Sequence, residues 1–474
     1  MMDKNINNVS FEIELLEKHK EYITQYQSND FYWGVGIENE CYLEFSKKRT
    51  VNKEFLLKNA VHERYSVNHF SNYKENIFQN SLEKILNEEE YEIPVLLNAH
   101  SFTKTDINNQ HITLKPLNIE DEKVLNSEYS GESVMERIQK HNSYFIDEHQ
   151  KKFIFDGDTI EFVTQNFYKT DVDTVIEELA TIKNDFTSNL QEVFVNEKIF
   201  AEFGTIKISS ENHPFAIFVS NNENYSVFNN MTYHFNLTIP TELNKEGEIK
   251  DKIEFIKSHQ RTIRLFQWLS PLFIIKYGSS DYLSHHDNSV NLTKASQRCA
   301  MSRYIGVGTY DTDVMKTGKI VQMDFKEHPM HENPKWWVNR YSEISDYQTI
   351  DKIGLDVNFH KHKNHGIEFR LFDYFDEKHL QEVLRFLVYI MDHAIVSEVE
   401  NPICDLDWNN FVYESILNGK ETIISPEFIS ILEKIFMVKL DSTNPIKIFD
   451  QLYSFLNDTY FEKGFCSSLM LKKQ

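Results

Sequence analysis

From Trp33 to Phe45 the chain alternates in the manner of a strand, with successive side chains on opposite faces. Ile37, Asn39, Cys41, Leu43 and Phe45 form a mostly apolar face, and Glu38, Glu40, Tyr42 and Glu44 form the other. The same period recurs over Met231–Pro240, where Tyr233, Phe235, Leu237 and Ile239 oppose His234, Asn236 and Thr238. It recurs again at 365–373, where Ile367, Phe369 and Leu371 oppose Glu368 and Arg370. A turn signal at Asp156-Gly157-Asp158 precedes a further strand over Thr159–Thr164 that carries Glu161. Ile93–Asn98 reads as a short apolar strand.

Helical spacing appears between these strands. Phe11 to about Gln27 is an amphipathic lead-in. Val172, Val175, Ile176, Leu179 and Ile182 make a core stripe behind Asp171, a natural cap. Ile253 to about Tyr277 and Phe375–Val399 are strongly apolar helices, and two or three more follow Asn401. The pattern predicts an α+β catalytic domain over 1–400, with an insertion at about 51–150. A helical C-terminal module follows over 401–474.

Composition narrows the function. A chain of 474 residues, 41% hydrophobic and 14% aromatic, can bury a large core. Its formal net charge of −23 repels phosphate backbones, and no basic run offsets it, so nucleic acid is not an expected partner. Cys41, Cys299, Cys404 and Cys466 show no paired spacing, which fits reduced thiols. No leader-like or membrane-length apolar run is present, so the sequence reads as soluble and cytoplasmic, with no membrane partner.

Placing Glu38 beside Glu40 on one sheet face is unfavourable unless a cation or base lies between them. A second charged strand, Glu368-Phe369-Arg370, strengthens that reading. Carboxylates are hard ligands suited to Mg²⁺ or Mn²⁺, and arginines suit a transferring phosphoryl group. The order E-x-E (Glu38, Glu40), acidic strand (Glu161), His strand (His234), R-x4-R (Arg298, Arg303) and E-x-R (Glu368, Arg370) spans roughly residues 33–375. It resembles that of the glutamine synthetase-type carboxylate–amine ligases, in particular the amidoligase and glutamate–cysteine ligase-like branch.

The resemblance implies a glutamine synthetase-like catalytic domain with a curved, mainly antiparallel sheet backed by helices. It implies ATP and Mg²⁺ (or Mn²⁺) as cofactors, with a small-molecule or peptide carboxylate and an amine acceptor as partners. The reaction it implies activates a carboxylate, that of glutamate or a glutamyl group, as an acyl phosphate for attack by an amine or ammonia. By position, Glu38, Glu40, Glu161, His234 and Glu368 are the implied metal ligands. Arg298, Arg303 and His234 contact ATP, and Asn236 and Arg370 contact substrate. Arg370, Arg303 and Glu368 act in catalysis. The further acidic ligand near Glu161 has two candidates, Asp156 and Asp158.

Other patterns carry less. His360, His362 and His365 have no nearby cysteine and read as a polar loop rather than a zinc site. Gly306-Val307-Gly308 lacks a strand–turn–helix setting. A guanidino-type phosphotransferase and a catalytically decayed binding protein on the same fold are the competing readings. A nuclease using Asp156, Asp158 and Glu161 lacks a basic track.

Overall fold

The computed structural model describes residues 31–62, 82–103, 132–156, 159–211, 213, 215–219, 221–227, 231–279, 296, 310–313, 315–317, 356–359, 366–461 and 463–471. The amphipathic lead-in over 11–27 therefore lies outside the described residues. Strands of two six-stranded sheets run in chain order. They are β1 (Phe31–Cys41), β2 (Leu43–Phe45), β3 (Ala60–His62), β4 (Val95–Leu97), β5 (Phe153–Asp156) and β6 (Thr159–Val163). Then come β7 (Ile206–Ile208), β8 (Ala216–Phe218), β9 (Asn221–Val227), β10 (Thr232–Glu242), β11 (Val357–Phe359) and β12 (Ile367–Asp373).

The first sheet has the order β11-β12-β10-β1-β6-β5, and every neighbouring pair in it is antiparallel. The second has the order β3-β9-β8-β4-β2-β7 and is mixed, with parallel pairing of β9 to β3 and of β8 to β4. This corrects one expectation. The protein is α+β, but the single curved, mainly antiparallel sheet of a glutamine synthetase-like domain is not what forms. Among the described residues two separate six-stranded sheets form instead, beside two two-stranded pairs, and no sheet is closed or strongly curled.

The cause of the division is visible at Tyr42. The alternating run from Trp33 to Phe45 is not one strand: β1 ends at Cys41, and β2 begins at Leu43 in the other sheet. Tyr42, fully buried between them, packs its ring against Phe218 at 5.3 Å. Glu44 therefore leaves the face that holds Glu38 and Glu40. In the second sheet it accepts a hydrogen bond from His213 Nε2 at 3.1 Å and lies 3.6 Å from Lys207 Nζ.

Helices α1 (Val172–Glu197) and α2 (Lys252–Tyr277) pack on the apolar face of the first sheet, and α3 (Leu380–Val396), α4 (Leu406–Asn418), α5 (Pro426–Phe436), α6 (Pro445–Tyr460) and α7 (Phe465–Met470) extend the helical layer around them. Asp171 caps α1 by accepting from Thr174 N at 2.9 Å, and Asp251 caps α2 through Ile253 N and Glu254 N, both at 3.0 Å. Phe186 of α1 packs on Phe153 and Phe162 of the sheet at 4.7 and 5.1 Å. Phe266 of α2 meets Phe369 at 4.4 Å, and Phe386 of α3 meets Phe449 of α6 at 4.7 Å. Helices and sheet thus share one continuous core. Burial of that core is the main stabilising term.

A buried polar contact at Gln267 helps tie the C-terminal helices to this core. Pro271 lies inside α2 and has no N–H to give the carbonyl of Gln267. The indole Nε1–H of Trp408 donates to that carbonyl at 2.6 Å, and Ser270 Oγ donates at 2.8 Å. Trp408→Phe removes the stronger substitute and shrinks a fully buried side chain. We expect a loss of about 2 kcal/mol in the urea-unfolding free energy; an unchanged midpoint would contradict this role.

Burial opposes the charge on Glu44, yet the His213 hydrogen bond, its charge, and Lys207 and Lys48 together hold the carboxyl below its ordinary value of 4.5. A depressed acid stabilises the fold above its unfolded value and loses that contribution as pH falls through the folded one. Unfolding free energy should therefore decline as pH drops below 4.5, and the decline should be shallower in Glu44→Gln. Identical pH profiles for the two proteins would dismiss the coupling.

Candidate metal centre

The face of the antiparallel sheet opposite the helices carries the charged side chains. Glu38 on β1 lies directly across from His234 on β10. Glu40, two residues on, lies across from Thr232 on one side and from Glu161 of β6 on the other. Asn236 of β10 lies across from Glu368 of β12, and Asn358 of edge strand β11 faces Glu368 from the far side. A register irregularity between Tyr233 and Phe235 sets Arg370 close to His234, at 3.3 Å from Arg370 Nη1 to His234 Nδ1. The antiparallel register alone thus gathers residues separated by up to about 330 positions in sequence.

Among the described residues two ligand sets result. In the first, Glu38, His234 and Glu368 each offer an atom within 4.8 Å of the others. His234 Nδ1 is 3.2 Å from Glu38 Oε2 and 3.7 Å from Glu368 Oε1. In the second, Glu40, Asp156 and Glu161 meet the same limit. His234 joins the two, because its Nε2 lies 3.5 Å from Glu40 Oε1. Either set could hold a divalent metal ion.

Electrostatics favour such an ion. Glu368 and His234 side chains are only 1% and 2% exposed, and those of Glu38 and Glu40 are 12% and 13% exposed. Carboxylates so poorly hydrated repel one another more strongly than they would in water. Arg370 offsets part of this by donating to Glu368 Oε1 at 2.5 Å. Burial works against the guanidinium's charge, but Glu368, Glu40 and Glu38 together hold it above its ordinary value. One guanidinium among four glutamates leaves the face negative.

The donor chemistry is hard: carboxylate oxygens with one imidazole, a combination suited to Mg²⁺ and Mn²⁺. Cys41, adjacent to Glu40 in sequence, lies on the core face instead. Burial pushes its thiol up to about 12, so no thiolate is offered to a softer metal.

Beside the first set, the backbone comes close to an aromatic ring. Phe167 lies over β1, held by the bond from Val35 N to the Phe167 carbonyl at 2.9 Å. A Cβ at Gly34 would sit 1.9 Å from the Phe167 ring, and one at Gly36 would sit 2.7 Å from it. Only glycine at these positions lets the ring cover the strand next to Glu38.

Of the residues singled out from the sequence, Glu38, Glu40, Glu161, His234, Asn236, Glu368 and Arg370 come together on this face. Arg298 and Arg303 lie outside the described residues, as do Asp158 and the histidines at 360, 362 and 365. Asp156 joins Glu161 at the end of the β5–β6 hairpin. Thr232 and Asn358 were not singled out. Thr232 Oγ1 donates to Glu40 Oε2 at 2.9 Å, and Asn358 Nδ2 donates to Glu368 Oε2 at 3.1 Å. Thr232 could have been found two residues before His234 on the same strand face. Nothing local marks Asn358, whose role depends on its cross-strand partner.

No family model matches the chain. It is similar to the uncharacterized protein R704 of Acanthamoeba polyphaga mimivirus, with 36% identity over 479 residues. The match covers 99% of this chain and 83% of that protein. Among the described residues, no helix is long and apolar enough to cross a membrane.

A cation should relieve the crowded carboxylates, so millimolar Mn²⁺ or Mg²⁺ is expected to raise the melting temperature, and a chelator to reverse the gain. Glu38→Gln combined with Glu368→Gln should weaken Mn²⁺ binding about 100-fold or more in calorimetric titration. Undiminished binding in that double variant would rule out the first ligand set.

Proposed function

The chain belongs to the family of the mimivirus protein R704, and from its acidic sheet face we propose that it is an ATP-dependent carboxylate–amine ligase. The observation that carries this reading is the pair of three-residue ligand sets joined by His234, with Arg370 beside them. Two divalent cations bound there would neutralise triphosphate charge and polarise the terminal phosphoryl group. The resemblance of the E-x-E, acidic-strand, His-strand and E-x-R order to carboxylate–amine ligases supports the choice of acceptor. The acidic net charge speaks against a polynucleotide substrate.

The proposed reaction has two steps. A substrate carboxylate oxygen forms a bond to the γ-phosphorus of ATP as the bond to the ADP oxygen breaks. An amine or ammonia nitrogen then attacks the acyl carbon, the C–O bond to phosphate breaks, and the nitrogen loses a proton. Arg370 neutralises the substrate carboxylate and then the acyl phosphate. Glu368 orients Arg370 through their direct hydrogen bond and contributes a ligand atom. Asn236 lines the substrate side. His234 holds a cation or hydrogen-bonds the γ-phosphate. Arg298 and Arg303 contact the phosphates of the nucleotide.

The test is ADP release with Mg²⁺ or Mn²⁺, glutamate and a panel of amines, in wild type and Arg370→Ala. Release that needs both glutamate and an amine, and falls about 100-fold or more in the variant, is the expected result. ADP formed without an amine, together with a stable phosphorylated product, would replace the ligase with a phosphotransferase. Failure to bind ATP at saturating metal would leave a binding protein.

A further inference from the structure

The three carboxylates around His234 share one arrangement. Glu38 Oε1 accepts from Asn236 Nδ2 at 3.0 Å, while its Oε2 faces His234 at 3.2 Å. Glu40 Oε2 accepts from Thr232 Oγ1 at 2.9 Å, while its Oε1 faces His234 at 3.5 Å. Glu368 Oε2 accepts from Asn358 Nδ2 at 3.1 Å, while its Oε1 faces His234 at 3.7 Å and accepts from Arg370. In each case one oxygen is tied to a donor on a neighbouring strand, and the other points into the ligand set.

We propose that Asn358 is a positioning residue of this centre: it orients Glu368 for a divalent cation, as Asn236 orients Glu38 and Thr232 orients Glu40. The inference rests on the metal-centre reading given above. All three donors are neutral. A neutral donor stops a carboxylate from rotating yet leaves its full negative charge available to a cation. A lysine or arginine at the same position would fix the oxygen equally well, but it would also compete with the cation for that charge.

Asn358 is the informative member of the three. It belongs to a three-residue edge strand and is only half-buried, so a substitution there has room to be accommodated. Glu368 is almost completely buried, so little water is at hand to replace a lost hydrogen bond. The carboxylate would then lose the cross-strand donor to Oε2 that fixes its rotation, while Arg370 still bonds Oε1.

The experiment is Mn²⁺ titration followed by calorimetry and by the Mn²⁺ electron paramagnetic resonance spectrum. It uses the full chain as wild type, Asn358→Ala, Asn358→Gln and Asn358→Lys. Asn358→Ala should bind Mn²⁺ about 10- to 100-fold more weakly with an altered spectrum. Asn358→Gln, which restores a neutral amide donor, should recover affinity, and Asn358→Lys should bind more weakly than the alanine variant. Wild-type affinity and spectrum in Asn358→Ala would overturn the proposal. Lysine binding as well as glutamine would overturn the requirement for a neutral donor. A wild-type protein that binds no Mn²⁺ would remove the metal centre itself, and with it the premise. Melting temperatures measured alongside separate all of these from loss of fold.

Discussion

Glu40 and Glu161 stand directly opposite one another on neighbouring antiparallel strands, with Glu38 and Glu368 on the same face. Like charges so placed and so poorly hydrated cost free energy in the absence of a compensating cation. Much of the surrounding structure limits that cost. Arg370 supplies a fixed positive charge, His234 spaces the two acidic sets, and neutral side chains hold the outward oxygens. A face arranged in this way retains negative charge while restricting its geometry, which is what binding a hard cation requires.

Precision on this face depends on the packing behind it. Behind the acids, Phe162 of β6 packs its ring on Phe186 of α1, and Phe369 of β12 packs on Phe266 of α2. A rigid backing of this kind is what lets cross-strand distances near 3 Å persist. The far helices contribute as well. Trp408 takes over the Gln267 carbonyl that Pro271 leaves without its usual donor, so the C-terminal helices brace one of the two 26-residue helices under the sheet. In this way residues far from the acidic face in sequence bear on its geometry.

Several elements were legible because their signals are local. The alternation over 231–240 corresponds to β10, the strand expected over 159–164 corresponds to β6, and the stripe behind Asp171 is the start of α1. Where a signal was not local, the reading failed. The run from Trp33 to Phe45 has an unbroken period of two, yet the chain changes sheets at Tyr42, because that residue's ring is buried against Phe218 of the second sheet. Periodicity reports which side chains share a face only while the strand remains in one sheet. The single curved sheet was an expectation from the resemblance, not from periodicity, and two open six-stranded sheets stand in its place.

The sequence by itself determined which side chains were available to a face. A period of two placed Glu38 with Glu40, His234 with Asn236, and Glu368 with Arg370, because the pleat of a strand permits nothing else. It also determined that the chain would be acidic, aromatic-rich and able to bury a large core. Only the tertiary structure decided that these three strands would be neighbours, in the order β12-β10-β1, with Glu161 on the next strand. It likewise sent Glu44 to the other sheet and brought Asn358 against Glu368. Neighbour relations among strands arise from side-chain packing between segments far apart in the chain, and no local pattern encodes the distance from one carboxylate to another.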